Sequence, residues 1–316
     1  MNIYTQTFSS IVILGAIILL VMYLRHIGLL SSKDGSLFST IITRLTLPAI
    51  IMYALSHAAL EWKYLDIVGF IFISEIFLFA IAWLSGKYFK LSSQQMGSYI
   101  LTSVFGSSAL LGYALIAQIF PHDENAIAEA SFISELGVGL PLFVFGVMIA
   151  MYYGDKSQDN SNILKSILKF LRSPIFIAIL TGVGWSVFKL PLEGDFISVF
   201  FNTVHIIGKA NTLMVALLVG VILRFDSFKE ILALVLMVII LKLILNPIAI
   251  ASFSYFITLE KWQLDVLIIE SAMPSAMLSV ALAKEYGCDA VLASKLVFAT
   301  LLASTLSVGL MIYLLN

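Results

Sequence analysis

The sequence predicts an all-α integral membrane protein whose ten transmembrane helices form two inverted five-helix repeats. Three observations carry that prediction. Of 316 residues, 60% are hydrophobic and only 12% are charged, whereas about a quarter of a soluble domain is charged. Uncharged apolar runs recur along the chain, at 1–24, 91–121, 173–188 and 296–316, and a full span needs about 20 such residues. None of these runs alternates apolar and polar residues as a barrel strand of about ten residues would, so helices that satisfy their own backbone groups are expected.

A window of about 19 residues places the spans near 8–24, 36–57, 65–88, 95–120, 126–153, 173–190, 199–222, 230–257, 262–283 and 290–315. The N-terminal residues MNIYTQTFSS carry no basic charge, so the first run is expected to be a span rather than a cleaved signal. Basic residues orient the bundle. Loops after odd-numbered spans hold Arg25, Lys33, Lys87, Lys90, Lys156, Lys165, Lys169, Arg172, Arg224, Lys229 and Lys284, against Lys63, Lys189 and Lys261 on the other face. Both termini are therefore expected outside, with Trp62 and Trp262 as interfacial anchors. The polar stretch 154–172 (GDKSQDNSNILKSILKFLR) divides the chain into 1–153 and 173–316. It reads as a cytoplasmic linker continuing into a basic amphipathic segment on the membrane surface.

Two units of five spans must lie with opposite orientation. Their sequence trace is SALLGYAL at 108–115 in the fourth span against SAMLSVAL at 275–282 in the ninth, an offset of 167 that also sets Glu75 on Lys242. Both segments contain helix-disturbing residues. Gly106 and Gly112 bracket Ser107 and Ser108, and Pro274 cannot donate to the carbonyl four residues earlier. Interrupted helices at equivalent positions of inverted repeats point to a midplane binding site, while Pro kinks and small residues at a tight helix crossing give a purely packing account.

These residues resemble the auxin efflux carrier superfamily of plant auxin exporters and bacterial malonate-type permeases. The resemblance lies in 25–34 (RHIGLLSSKD) with 45–48 (LTLP), in 105–112 (FGSSALLG), and in 272–275 (AMPS) with 283–287 (AKEYG). It implies a scaffold of helices 1, 2, 6 and 7, and a transport domain of helices 3–5 and 8–10. Helices 4 and 9 would be broken and crossed, as in bile-acid symporters and sodium/proton antiporters. The resemblance further implies transport of carboxylate-bearing organic anions by an elevator-like alternation, and a homodimer through the scaffold. The chain departs from the family pattern at Ser107, where an Asn is usual, and at Ala114 and Thr212, where Pro is common. The family's Asn contact to substrate therefore has only a hydroxyl counterpart here.

Intramembrane charges are costly and mark functional positions. Gly106, Ser107, Ser108, Pro274 and Ser275 are the expected substrate-binding residues at the breaks, joined by Lys209 and Asn211 of the seventh span. Lys209 would offer a positive charge to a carboxylate or else snorkel to an interface. Asn211 lies about 200° around the helix from it, so the two face different directions. Glu75 and Lys242 are expected to form a buried ion pair or a proton-coupling site. Glu270, one turn before Pro274, and Glu135, ahead of Gly137, Gly139 and Pro141, are the other proton-carrying candidates. Arg44 and Lys295 are close enough to the cytoplasmic ends to snorkel.

Several function classes drop out. Net charge −1 gives no footprint for nucleic acid. The single Cys288 permits no internal disulfide, and the scattered His26, His57, His122 and His205 suggest no metal; no cofactor is expected. Without a GxxxxGK[ST] loop, ATP is not harnessed directly, and without HExxH, GxGD or DDxxD a membrane-embedded enzyme lacks its chemistry. The expectation is a secondary transporter of an organic anion in a lipid bilayer, with a bacterial inner membrane favoured by the compact linker. A non-transporting sensor acting through a partner is the alternative.

Overall fold

The computed structural model describes residues 3–57, 65–112, 115–116, 119–120, 124–154, 168, 170–226, 228–253, 256 and 259–315. Trp62, Lys63, Ala114, His122 and most of the expected linker, with Lys156, Lys165 and Lys169, lie outside the described residues.

The helices are α1 (Ile3–His26), α2 (Asp34–His57), α3 (Leu65–Tyr88), α4 (Ser93–Val104), α5 (124–154), α6 (Pro174–Val187), α7 (Asp195–Ile222), α8 (Leu232–Ser252), α9 (Lys261–Ser271), α10 (Leu278–Tyr286) and α11 (Ala290–Leu315). Local chemistry explains several boundaries. Ser92 accepts from the Gln95 backbone N–H while the Gln95 side chain accepts from the Ser92 N–H, a capping box that starts α4. Ser173 caps α6, with Pro174 at its first position. Gly287, at φ +82°, ends α10 in the left-handed region that a glycine enters without steric cost.

The expected ten full spans in two inverted five-helix repeats are not what the structure supports. Among the described residues six helices are long and apolar enough to cross a membrane: Asp34–His57, Asp66–Tyr88, Glu129–Gly154, Asp195–Ile222, Leu232–Ser252 and Ala290–Val308. Val12–His26 within α1 and Pro174–Val187 are shorter apolar stretches. The runs at 95–120 and 262–283 are each cut by extended backbone, after Val104 and after Ser271. A hydropathy window measures composition and not continuity, so it credits two halves of an interrupted run as one helix.

Helix α2 packs against α6 and α7, and α7 also packs against α1. Helix α4 packs against α3, α5 and α11, and α8 against α3, α9 and α11. Small residues permit the closest approaches: a Cβ added to Gly208 would lie 3.1 Å from the Ile50 Cα, so α7 and α2 touch backbone to backbone. Helices α2, α5 and α8 each contain π-turns, at Ile42–Thr46, Ile133–Gly139, Leu142–Gly146 and Ile240–Leu245. Such turns shift the ladder by one residue and leave side chains and backbone groups off the regular helical positions. Three of them carry charged residues: Arg44, Glu135 and Lys242.

Candidate functional site

The two interruptions meet. After α4, Phe105–Ser107 is extended, and it pairs antiparallel with 274–276 through an isolated bridge between Gly106 and Ser275. Ser107 N–H donates to the Pro274 carbonyl at 2.8 Å, and Ala276 N–H donates to the Phe105 carbonyl at 2.9 Å. Each broken helix thus supplies the backbone partner that the other lacks, which is what non-helical backbone away from water requires. Pro274 takes part only through its carbonyl, because proline has no N–H to leave unpaired.

Side chains lock this crossover from behind. Ser275 Oγ donates to the Thr102 carbonyl at 2.6 Å and Ser279 Oγ to the Leu101 carbonyl at 3.2 Å, while Thr300 Oγ1 accepts from Ser275 N–H at 3.3 Å. Lys242, 3% exposed, donates from Nζ to the Val104 carbonyl at 3.1 Å. Its ammonium packs under Gly106, where a Cβ would lie 3.2 Å from both Cε and Nζ. One turn further along α8, Asn246 Oδ1 accepts from Ser74 Oγ at 2.5 Å and its amide donates to the Ser271 carbonyl at 2.8 Å.

Glu75 lies on this same side, 6% exposed, with both carboxyl oxygens lacking a hydrogen-bond partner among the described residues. The expected ion pair with Lys242 is not closed, since the ammonium turns to the Val104 carbonyl instead. Glu75, Val104 and Phe105 border a cavity of about 540 Å³ that is otherwise apolar, lined by Phe72, Phe79, Phe145 and Tyr153 among others.

In front of the crossover is a second cavity of about 150 Å³. Gly106, Ser107 and Ser108 form one wall, and Ala276, Met277 and Leu278 at the start of α10 form the next. Leu47, Ile50 and Ile51 of α2 and Asn211, Thr212 and Val215 of α7 close it from across, and Ser134, Glu135 and Val138 line it from α5. Thr46 Oγ1 donates to Asn211 Oδ1 at 2.9 Å, which holds the amide and leaves its N–H groups without a protein partner among the described residues.

Of the residues singled out from sequence, the structure brings Gly106, Ser107, Ser108, Asn211 and Glu135 to this cavity. It does not bring Lys209, Pro274, Ser275, Glu75, Lys242 or Glu270. Lys209 is exposed on the far side of α7, as the 200° separation from Asn211 requires. Ser275 is buried and committed to the Thr102 carbonyl. Glu270, 2% exposed, is pressed against Gly112 so closely that a Cβ there would lie 2.6 Å from its carboxyl carbon. Among the described residues no hydrogen bond to either Glu270 oxygen is closed, although the Ser134 hydroxyl approaches the carboxyl.

Lys295 does not snorkel. It is 6% exposed and donates to the Asp226 carbonyl at 2.5 Å, with the Asp226 carboxylate at 3.4 Å. Arg44 is 69% exposed and faces Glu285 at 3.8 Å. His57 and His205 stack on either side of Tyr53, at 4.1 and 4.2 Å between ring centroids.

The sequence reading missed Asn246, Ser74, Thr46 and Ser134. Asn246 had a signal: it follows Lys242 by four residues and so shares its helix face. Thr46 and Ser134 had none beyond being hydroxyls in apolar runs.

Residues 6–312 match the family described as Membrane transport protein. The chain is 28% identical over 315 residues to an uncharacterized transporter of Methanocaldococcus jannaschii, covering 95% of this chain and 96% of the relative. It is 26% identical over 314 residues to an uncharacterized transporter of Methanothermobacter thermautotrophicus, covering 97% and 96%. A probable auxin efflux carrier component of Oryza sativa subsp. japonica is 31% identical over 151 residues, 46% of this chain and 41% of the relative. An all-α bundle with membrane-length apolar helices, an interrupted pair and a largely apolar cavity carrying a few polar groups beside it fits that match. The chain belongs to the Membrane transport protein family and is an integral membrane transporter of a small solute.

Proposed function

We propose that the chain is a secondary transporter of a carboxylate-bearing organic anion, bound in the 150 Å³ cavity and moved by an elevator-like shift of the crossover past α2 and α7. The observation that carries the reading is the convergence on one cavity of groups suited to a carboxylate. At the start of α10, Met277 and Leu278 line the cavity with backbone N–H groups that have no acceptor among the described residues, at the positive end of the helix dipole. Ser107 and Ser108 add hydroxyl donors, and Asn211 adds amide N–H donors from the opposing helix.

A cavity walled on one side by the crossover and on the other by α2 and α7 also suits alternating access. Movement of one wall along the other would carry the bound solute between the two faces. The cavity size favours a small acid or the carboxyl end of a larger one. With no ATP-binding loop in the sequence, driving force comes from gradients. The same reading includes a homodimer through the scaffold spans 1, 2, 6 and 7 and an orientation with both termini outside, the latter supported by the basic-residue bias.

The test is uptake of labelled malonate, malate and indole acetate into proteoliposomes with and without a pH gradient. Saturable uptake of at least one, weakened by Ser107→Ala and by Asn211→Ala, is expected. Absence of saturable uptake of all three under every gradient would refute the carboxylate reading.

A further inference from the structure

The cavity in front of the crossover contains a contradiction for an anion carrier. Among the described residues its lining includes no Lys, Arg or His, and the one charged side chain among them is a carboxyl, Glu135. This residue sits on the π-turn Ile133–Gly139 of α5, partly exposed and lining the cavity, and no hydrogen bond or ion pair engages its carboxyl group among the described residues.

The elements packed against that turn are α3, the first part of α5, the π-turns Ser108–Gly112 and Leu142–Gly146, and α9. None of their titratable groups lines the cavity, although Glu270 approaches Ser134 on the same turn. Glu75 borders the 540 Å³ cavity, Glu129 accepts from Gln263 Nε2 at 3.2 Å, and Glu270 lies against Gly112. Asp66, Lys87, Tyr88, Glu124, Lys261 and Asp265 do not line the cavity. Across from it, Arg44 pairs with Glu285, His57 and His205 stack on Tyr53, and Lys209 is exposed.

We infer that Glu135 binds the substrate carboxylate in its protonated form, so that each anion is carried together with one proton. The inference rests on the carboxylate reading above and names its coupling group. Two ionised carboxylates confined to one poorly hydrated site repel, and the site relieves this by keeping one of them protonated. The retained proton then forms an O–H···O⁻ bond to the substrate, a short and strong charge-assisted contact. The proton enters on the Glu135 carboxyl from the compartment to which the cavity is open at loading. It leaves to the opposite compartment when the anion departs, so one proton and one anion cross per cycle. Glu75 and Glu270 are unsuited to this task, because neither touches the cavity.

The experiment measures binding of indole acetate and malonate to the purified, detergent-solubilised chain between pH 6 and pH 8, for wild type, Glu135→Gln and Glu135→Asp. Indole acetate remains ionised throughout that interval, so its pH dependence reports the protein. Wild-type affinity should fall with rising pH, approaching about tenfold per unit once Glu135 ionises in the free protein, the slope for uptake of one proton. Glu135→Gln, a permanent neutral donor, should bind with little pH dependence, and Glu135→Asp should restore the slope. Equal slopes in wild type and Glu135→Gln, or flat profiles in both, would overturn the assignment while leaving the carboxylate reading intact. Binding of neither acid at any pH, together with putrescine binding that Glu135→Gln abolishes, would overturn both and make Glu135 a counter-ion for an amine. Loss of acid binding in Glu135→Gln alone, with its melting temperature unchanged, would likewise refute a protonated role.

Discussion

The crossover has two sides, and they treat polar groups differently. Behind it, Ser275, Ser279, Lys242 and Asn246 are committed to the carbonyls of Thr102, Leu101, Val104 and Ser271. In front, Ser107, Ser108, Asn211 and Glu135 line a cavity of about 150 Å³. Similar residue types therefore serve opposite ends. Those behind satisfy backbone groups that the broken helices release, and those in front remain available to a solute. A serine beside a helix break is not by that fact a ligand; the destination of its hydroxyl decides.

The largest effect that would test this contrast is expected from Lys242→Met. It removes the donor to Val104 and leaves Glu75 buried without the nearest cation, a loss of about 3–5 kcal/mol when a buried charge is stranded. Thermal unfolding in detergent should show a steep fall, and adding Glu75→Gln should recover part of it. Equal stability of Lys242→Met and wild type would dissolve the back side as a structural unit. Next is Gly112→Ala, whose methyl would collide with the Glu270 carboxyl; overpacking of this kind costs about 1–3 kcal/mol, and Glu270→Ala in the same chain should relieve it.

Smaller still, Ser275→Ala should lower stability by about 1 kcal/mol, the net worth of one buried hydrogen bond, without altering KM. Asn211→Ala should raise KM about tenfold, as expected for about 1.4 kcal/mol of lost ligand contact, with a stability loss no larger than that of Ser275→Ala from the lost Thr46 bond. Lys209→Ala, on an exposed surface, should leave KM within about twofold. A KM effect at Lys209 matching that at Asn211 would break the assignment of α7's cavity-facing side.

How much of this could be read from sequence depended on the kind of signal. The interruptions at Gly106 and Pro274 announced themselves, because those residue types carry backbone consequences wherever they occur. Asn211 and Lys209 could be assigned to different directions by helical geometry, though nothing in the sequence said which direction held a cavity. The number of full spans was overread, since composition at 95–120 and 262–283 does not reveal where a helix stops. Lys295 looked like a snorkelling residue because Asp226 is 69 positions away and only folding brings them together. Lys242 was placed with Glu75 by repeat arithmetic, whereas its ammonium bonds to a backbone carbonyl that exists as a free acceptor only because α4 ends there.

One property makes the contrast directly measurable. Cys288, the sole cysteine, lies outside the spans. Burial, and then the adjoining Asp289, push its thiol up to about 12, and Sγ donates to the Ala150 carbonyl at 3.4 Å. It is protonated at neutral pH and should react with maleimides far more slowly than an exposed thiol. An introduced cysteine can therefore be read against a silent background.

The most direct measurement compares Ser107→Cys with Ser275→Cys, each labelled in proteoliposomes by a charged methanethiosulfonate reagent with and without a transported carboxylate. The two positions flank the same backbone pairing, one in front of it and one behind. The account predicts modification of Ser107→Cys, slowed by the carboxylate, and essentially none of Ser275→Cys. Equal labelling at the two positions, or labelling of Ser107→Cys that the transported solute does not affect, would contradict it.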